Sequence, residues 1–148
     1  MMKLYLDLCV YNRPFDNQHQ ERIALETSAF IYILEKVEKG EYELIVSEAL
    51  VYENSKNPNE LRRSRLTSYF RLAKVLTKAD HRDLERGRYL VTLGFSAMDA
   101  LHLALAEKRN VDYFITCDDS IIKLYRKHQD IMKIGVVSLL EFISLEVK

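Results

Sequence analysis

Short apolar runs alternate with longer stretches of helical periodicity along this chain. Lys3–Leu6, Tyr42–Val46, Tyr113–Thr116 and Lys133–Val137 read as strands, nearly continuous in hydrophobicity as in a parallel sheet covered on both faces. Between the first two, Ile23, Thr27, Phe30, Ile31, Leu34 and Val37 form one stripe among Glu26, Glu35, Lys36 and Glu38, and Gly40 supplies a stop. A second helix runs from near Ser47 to before Asn57-Pro58, because a residue preceding proline disfavours the α region. Asn59–Leu76 and Asp80–Leu93 read as two more. Ala97–Arg109 is apolar on several sides and so predicts a central helix. Asp119–Gln129 and a short Leu139–Leu145 complete the pattern. The alternation predicts an α/β fold of three layers, a mainly parallel sheet of about four strands flanked by helices. It shows neither an internal repeat nor a linker, so residues 1–148 are expected to form one domain.

Composition narrows the function classes. The chain has 148 residues, 48% hydrophobic and 30% charged, which is the profile of a globular domain able to bury its own core. Its 22 basic and 22 acidic side chains cancel, which excludes a generally basic nucleic-acid coat. Asp7 interrupts the N-terminus before a signal-peptide core forms, and no run reaches the roughly 18 apolar residues of a membrane span. Cys9 and Cys117 lie far apart without zinc-like spacing. The expectation is a reduced, cytoplasmic protein with no membrane association.

Four acids stand where strands end or helices begin. Asp7 follows the first strand, and Glu53 lies six residues after Ser47 in the helix that follows the second. Asp99 opens the central helix, and Asp118 follows the third strand. Ligands of open α/β sheets bind beyond the carboxyl ends of strands, where strand order reverses. A spatial order of 2-1-3-4 would set Asp7 and Asp118 across that reversal, with Glu53 and Asp99 on flanking helices. Each acid alone is explained as a cap, a turn or a solvated helix position. Together they form a self-repelling pocket unless a cation sits inside, and an all-oxygen set favours Mg²⁺ or Mn²⁺.

These segments resemble a known family. Asp7 after the first strand, Ser47 with Glu53, Asp99-Ala-Leu-x-x-Ala and Thr116-x-Asp118 are similar, in order, to the four signature segments of PIN domains. The stretch from Tyr5 to Asp16, with Arg13-Pro14, is similar to one prokaryotic branch. The resemblance implies a PIN-like fold and a metal-dependent endoribonuclease, often the toxin of a VapC-type toxin–antitoxin pair. Asp7, Glu53, Asp99 and Asp118 would then be its catalytic and metal-binding acids, with Thr116 a supporting hydroxyl. It further implies a small antitoxin protein as partner and a homodimer. The family usually has Thr or Ser directly after its first Asp, where this chain has Leu8. That departure keeps a second reading open, a non-catalytic PIN-like module binding RNA or protein.

The zero net charge is unevenly distributed. Lys56–Arg88 carries ten basic and four acidic residues, a net +6 balanced by −6 elsewhere. Arg62, Arg63, Arg65, Arg71 and Lys74 are candidates to hold an RNA backbone, and Tyr69, Phe70 and Tyr89 to stack on a base. A solvated helix face with buried aromatics explains the segment equally well. His102, one helical turn after Asp99, reads first as a packing histidine, and no His-x-x-x-His pair supports zinc. A receiver-type phosphoacceptor is disfavoured: Leu8-Cys9 replace the acidic pair it needs, and Val137-Ser138 replace its lysine.

Overall fold

A computed structural model describes residues 1–147. Five parallel strands form the sheet: β1 (Met2–Leu6), β2 (Tyr42–Ser47), β3 (Leu76–Thr77), β4 (Tyr113–Thr116) and β5 (Gly135–Ser138), in the order β3-β2-β1-β4-β5. The four expected strands are present, and they lie in the order supposed for them above. β3 is an addition, two residues that pair Leu76 with Val46 and Thr77 with Ser47 at the sheet edge.

Among the described residues, eight helices surround the sheet: α1 (Leu8–Asn12), α2 (Glu21–Glu38), α3 (Glu48–Ser55), α4 (Glu60–Phe70), α5 (His81–Thr92), α6 (Ala97–Lys108), α7 (Asp119–Lys127) and α8 (Leu139–Glu146). The two-residue period of the strands sends alternate side chains to opposite layers. Tyr5 and Phe114 are register partners, stacked at 5.3 Å, and Tyr5 meets His102 of α6. Tyr42 and Tyr113 point the other way and pack edge-on against Phe142 of α8. One hydrophobic cluster spans both layers, with Leu4, Tyr5, Phe30, Ile33, Leu105, Phe114 and Phe142 excluded from solvent.

The helix ends follow local chemistry. Gly40 takes φ +76°, and the N–H groups of Gly40 and Glu41 close onto the carbonyls of Val37 and Lys36, terminating α2 as a Schellman motif. Asp80 and Asp83 form a reciprocal capping box at the start of α5. The helix expected over Asn59–Leu76 stops instead at Phe70. Leu72 and Ala73 donate to Tyr69 and Phe70 in tighter three-residue turns, and Leu76–Thr77 then join the sheet. Tyr69 and Phe70 are not base-stacking groups: both pack on the buried Tyr11, and Tyr69 also packs on Phe30. Among the described residues, no helix is long and apolar enough to cross a membrane.

Candidate metal centre

The strand order reverses between β1 and β4, so the cleft beyond their carboxyl ends is where an open α/β sheet places its ligands. Asp7 leaves β1 there as the N-cap of α1. Its Oδ1 accepts the Leu8 N–H at 2.8 Å, its Oδ2 accepts the Thr116 hydroxyl at 2.7 Å, and its own N–H donates to Ile115. Thr116 is fully buried and also accepts the Asp118 N–H at 3.0 Å, so one hydroxyl ties two of the acids together. The Cys9 thiol closes this corner, 3.6 Å from Asp7 Oδ2 and accepting the Cys117 N–H. Its contact with Cys117, followed by burial, pushes the Cys9 thiol up, away from thiolate character.

Glu53 approaches from α3 and His102 from α6. Ligand atoms of Asp7, Glu53 and His102 all lie within 4.8 Å of one another. Asp7 and His102 are buried, while Glu53 is part-exposed and bonds His102 Nε2 through Oε1 at 2.8 Å. Asp99 sits in the first turn of α6, its N–H capped by Ser96. Asp118 is exposed at the start of α7, where its Oδ1 takes both the N–H and the hydroxyl of Ser120. The structure thus brings Asp7, Glu53 and Thr116 into contact with one shared corner. Asp99 and Asp118 flank it, and the close triad is completed by His102 rather than by either of them.

The cap roles that each acid could play are real, and they leave the cleft chemistry intact. Asp7 and Asp118 each commit Oδ1 to a helix N-terminus, and Asp118 Oδ2 makes no hydrogen bond among the described residues. Burial raises the Asp7 carboxyl above its ordinary range, and Glu53 adds to it, while His102 and Thr116 act in the opposite direction. Burial likewise raises Asp99, helped by the charges of Asp7 and Asp118. Carboxylates that disfavour their own charge, gathered at one corner, form a donor set suited to a divalent cation.

A consequence for stability follows. An acid whose pKa is higher in the folded chain binds its proton more tightly there, so its contribution falls as pH climbs from the unfolded value through the folded one. Without metal, the Tm of Asp7→Asn should therefore gain on that of the unsubstituted protein as pH rises above the ordinary aspartate value of about 4. Mn²⁺ at roughly a hundred times its Kd should raise the Tm of the unsubstituted protein by about 5–10 °C at neutral pH. Paired melting curves check both, and a constant difference across pH would rule out Asp7 as the strained group.

Arginines lace the rim. Arg13 pairs with the buried Glu26 at 2.9 Å and with Asp16 at 2.8 Å. Arg22 reaches from α2 to Asp119 at 2.8 Å and to the Cys117 carbonyl at 3.0 Å, fixing the β4–α7 turn that carries Asp118. Arg62 binds Asp16 and the Phe15 carbonyl, and Arg63 the Asn57 carbonyl, so both are occupied within the chain. Arg65, Arg71 and Lys74 are exposed and form no ion pair among the described residues. The sequence pattern singles out the four acids and Thr116, and reads His102 first as a packing residue. Its i, i+3 spacing from Asp99 was the available signal.

A parallel five-stranded sheet flanked by eight helices, with its candidate site at the central strand ends, has the PIN-like α/β fold. A chain of VapBC2 from Rickettsia felis, in a crystal structure bound to a DNA fragment from their promoter, superposes with a TM-score of 0.59 at 17% identity. The match covers 93% of this chain and 98% of that one. No family model matches the sequence, and no curated protein matches it.

Proposed function

We propose that this chain is a metal-dependent endoribonuclease that hydrolyses RNA phosphodiester bonds, the toxin of a toxin–antitoxin pair in the cytoplasm. The observation that carries the reading is the buried Asp7 carboxylate, held by Leu8 and Thr116 within 4.8 Å of Glu53 and His102 at the strand-order reversal. Asp7, Glu53, Asp99 and Asp118 would hold Mg²⁺ or Mn²⁺. When bound, the cation neutralises charge growing on a phosphodiester and acidifies water. The chain's own part is orientation. Thr116 and Leu8 fix both oxygens of Asp7, the Cys117–Ser120 turn is clamped by Arg22, and Glu53 is aimed by His102. Hydrolysis by external water leaves a 5′-phosphate and does not use the 2′-hydroxyl as nucleophile.

Incubating RNA with the protein, with Mn²⁺ or with a chelator, tests the reading. Metal-dependent cleavage with 5′-phosphate ends is expected, and 2′,3′-cyclic phosphate ends would exclude this route. RNA binding without cleavage would favour the non-catalytic module that Leu8 keeps in view. Leu8 provides no side-chain hydroxyl, yet its N–H and the Thr116 hydroxyl already occupy one bond to each Asp7 oxygen.

The exposed cations on and just beyond α4 are assigned to the RNA backbone. α4 packs on α1 and α3, the helices that begin at Asp7 and carry Glu53. Arg65→Glu and Arg71→Glu should weaken RNA binding across sequences and each flatten its salt dependence by about one unit of slope. Arg62→Ala should instead lower Tm, because its guanidinium bridges α4 to Asp16 and Phe15. Binding isotherms at several salt concentrations separate the two outcomes. A small antitoxin and a second copy of the chain are the proposed protein partners. The fold likeness to a chain of VapBC2 supports the antitoxin.

A further inference from the structure

Glu53 sits on a part-exposed helix position, where a glutamate ordinarily samples many rotamers. Here it ends a chain of hydrogen bonds that begins in the core. Ser47 Oγ accepts the Leu50 N–H at 3.3 Å as the N-cap of α3, which leaves its hydroxyl hydrogen free to donate. That hydroxyl meets Tyr5 Oη at 2.5 Å, and Tyr5 Oη meets His102 Nδ1 at 2.6 Å. His102 Nε2 meets Glu53 Oε1 at 2.8 Å. Ser47, Tyr5 and His102 are all fully excluded from solvent.

With a neutral imidazole, only one direction of donation satisfies every link with the carboxylate accepting. Ser47 donates to Tyr5, Tyr5 donates to Nδ1, and the ring proton therefore lies on Nε2 and points at Glu53. Reversal would set the Nε2 lone pair against a carboxylate oxygen. The Tyr5 ring is itself clamped, stacked on Phe114 at 5.3 Å with 17° between planes. Three strands and helices, β1, β2 and α6, thus converge on one oxygen of Glu53. Its Oε2 makes no hydrogen bond among the described residues and remains available to the cleft.

We infer that Ser47, Tyr5 and His102 form a buried relay that positions the Glu53 carboxylate for the cation, with His102 the positioning residue in contact with it. The inference rests on the cation-site reading above and adds how its least buried triad member is held. Tyr5 Oη touches no carboxylate, so a substitution there acts on metal only through His102 and Glu53.

The test measures Mn²⁺ affinity from the electron paramagnetic resonance signal of the free ion, alongside the Tm of each variant without metal. Tyr5→Phe should weaken Mn²⁺ binding roughly ten-fold or more, the usual scale for removing a group that orients a ligand. In a Glu53→Gln background, Tyr5→Phe should produce no further loss, because the path it acts through is already broken. His102→Gln, whose amide can still donate towards Glu53, should bind more tightly than His102→Leu, and this pair serves if Tyr5→Phe fails to fold. Folded Tyr5→Phe with unchanged affinity would overturn the relay, as would equal losses in both backgrounds or equal affinities of the two His102 variants. Absence of Mn²⁺ binding by the unsubstituted protein would overturn the cation-site reading and the relay with it.

Discussion

Asp7→Asn is expected to reduce metal-dependent RNA cleavage by roughly a hundred-fold or more, the scale on which removing one preorganised electrostatic group acts. The same variant should melt without metal at a temperature equal to or above that of the unsubstituted protein. Its Oδ1 still accepts the Leu8 N–H, so the start of α1 keeps its cap. The amide replaces an oxygen that accepted the Thr116 hydroxyl, which costs about 1 kcal/mol. Against this stands relief from holding a buried carboxylate beside Glu53, the two influences that raise its pKa. Cleavage assays and metal-free melting on the same preparation decide the matter. Lost activity together with a large fall in Tm would mean that Asp7 serves the fold rather than the chemistry.

The second large effect lies at the far end of α6. Glu107 is buried, and its Oε1 accepts Arg86 Nε at 2.7 Å while Oε2 accepts a second Arg86 nitrogen and the Lys133 N–H. Arg86 also donates to the Ile131 carbonyl. One carboxylate therefore joins α5, α6 and the segment entering β5. Glu107→Ala would leave a half-buried guanidinium and a backbone N–H without their acceptor, at a cost of about 3–5 kcal/mol. For a chain of this length that is a fall in Tm of roughly 10 °C or more. Glu107→Gln, which keeps the shape and one of the two acceptor oxygens, should fall between the unsubstituted protein and Glu107→Ala. Denaturant titration reads the difference directly, and a loss below about 1 kcal/mol would show the ion pair to be dispensable.

Elements whose burial dictates their composition were legible in the sequence. β1, β2, β4 and β5 are short apolar runs because each is covered on both faces, whereas the alternation with helices does not by itself dictate their order in the sheet. β3 was not, since Leu76–Thr77 is two residues long and is made a strand only by pairing with Val46 and Ser47. α1 was hidden by its neighbour: Leu8 to Val10 continue the apolar run of β1, and only the Asp7 cap separates strand from helix. The acids stood out because charges at strand ends are unusual enough to count. The connection among His102, Tyr5 and Ser47 did not, because a buried histidine, a strand tyrosine and a capping serine are each ordinary. Their meaning comes from bonds across 42, 97 and 49 residues of sequence. The arginines divided in the same way, since charge alone does not distinguish Arg62, bound to Asp16, from Arg65, bound to none of the described residues.

The hydrogen bond from Thr116 to Asp7 spans 109 residues, as does that from the Lys3 N–H to Asp112. β1 has no neighbour on that side until β4 is in place, and such distant pairings are slow to form. A chain emerging from the ribosome exposes Asp7, Ser47 and Glu53 long before Thr116 and Asp118 exist. A fragment ending before Tyr113 retains most of the helices and three of the five strands, yet it lacks the Thr116 hydroxyl that holds the second oxygen of Asp7. The cleft is therefore assembled only after β4 has been made, and termination before it yields a polypeptide without the complete cleft.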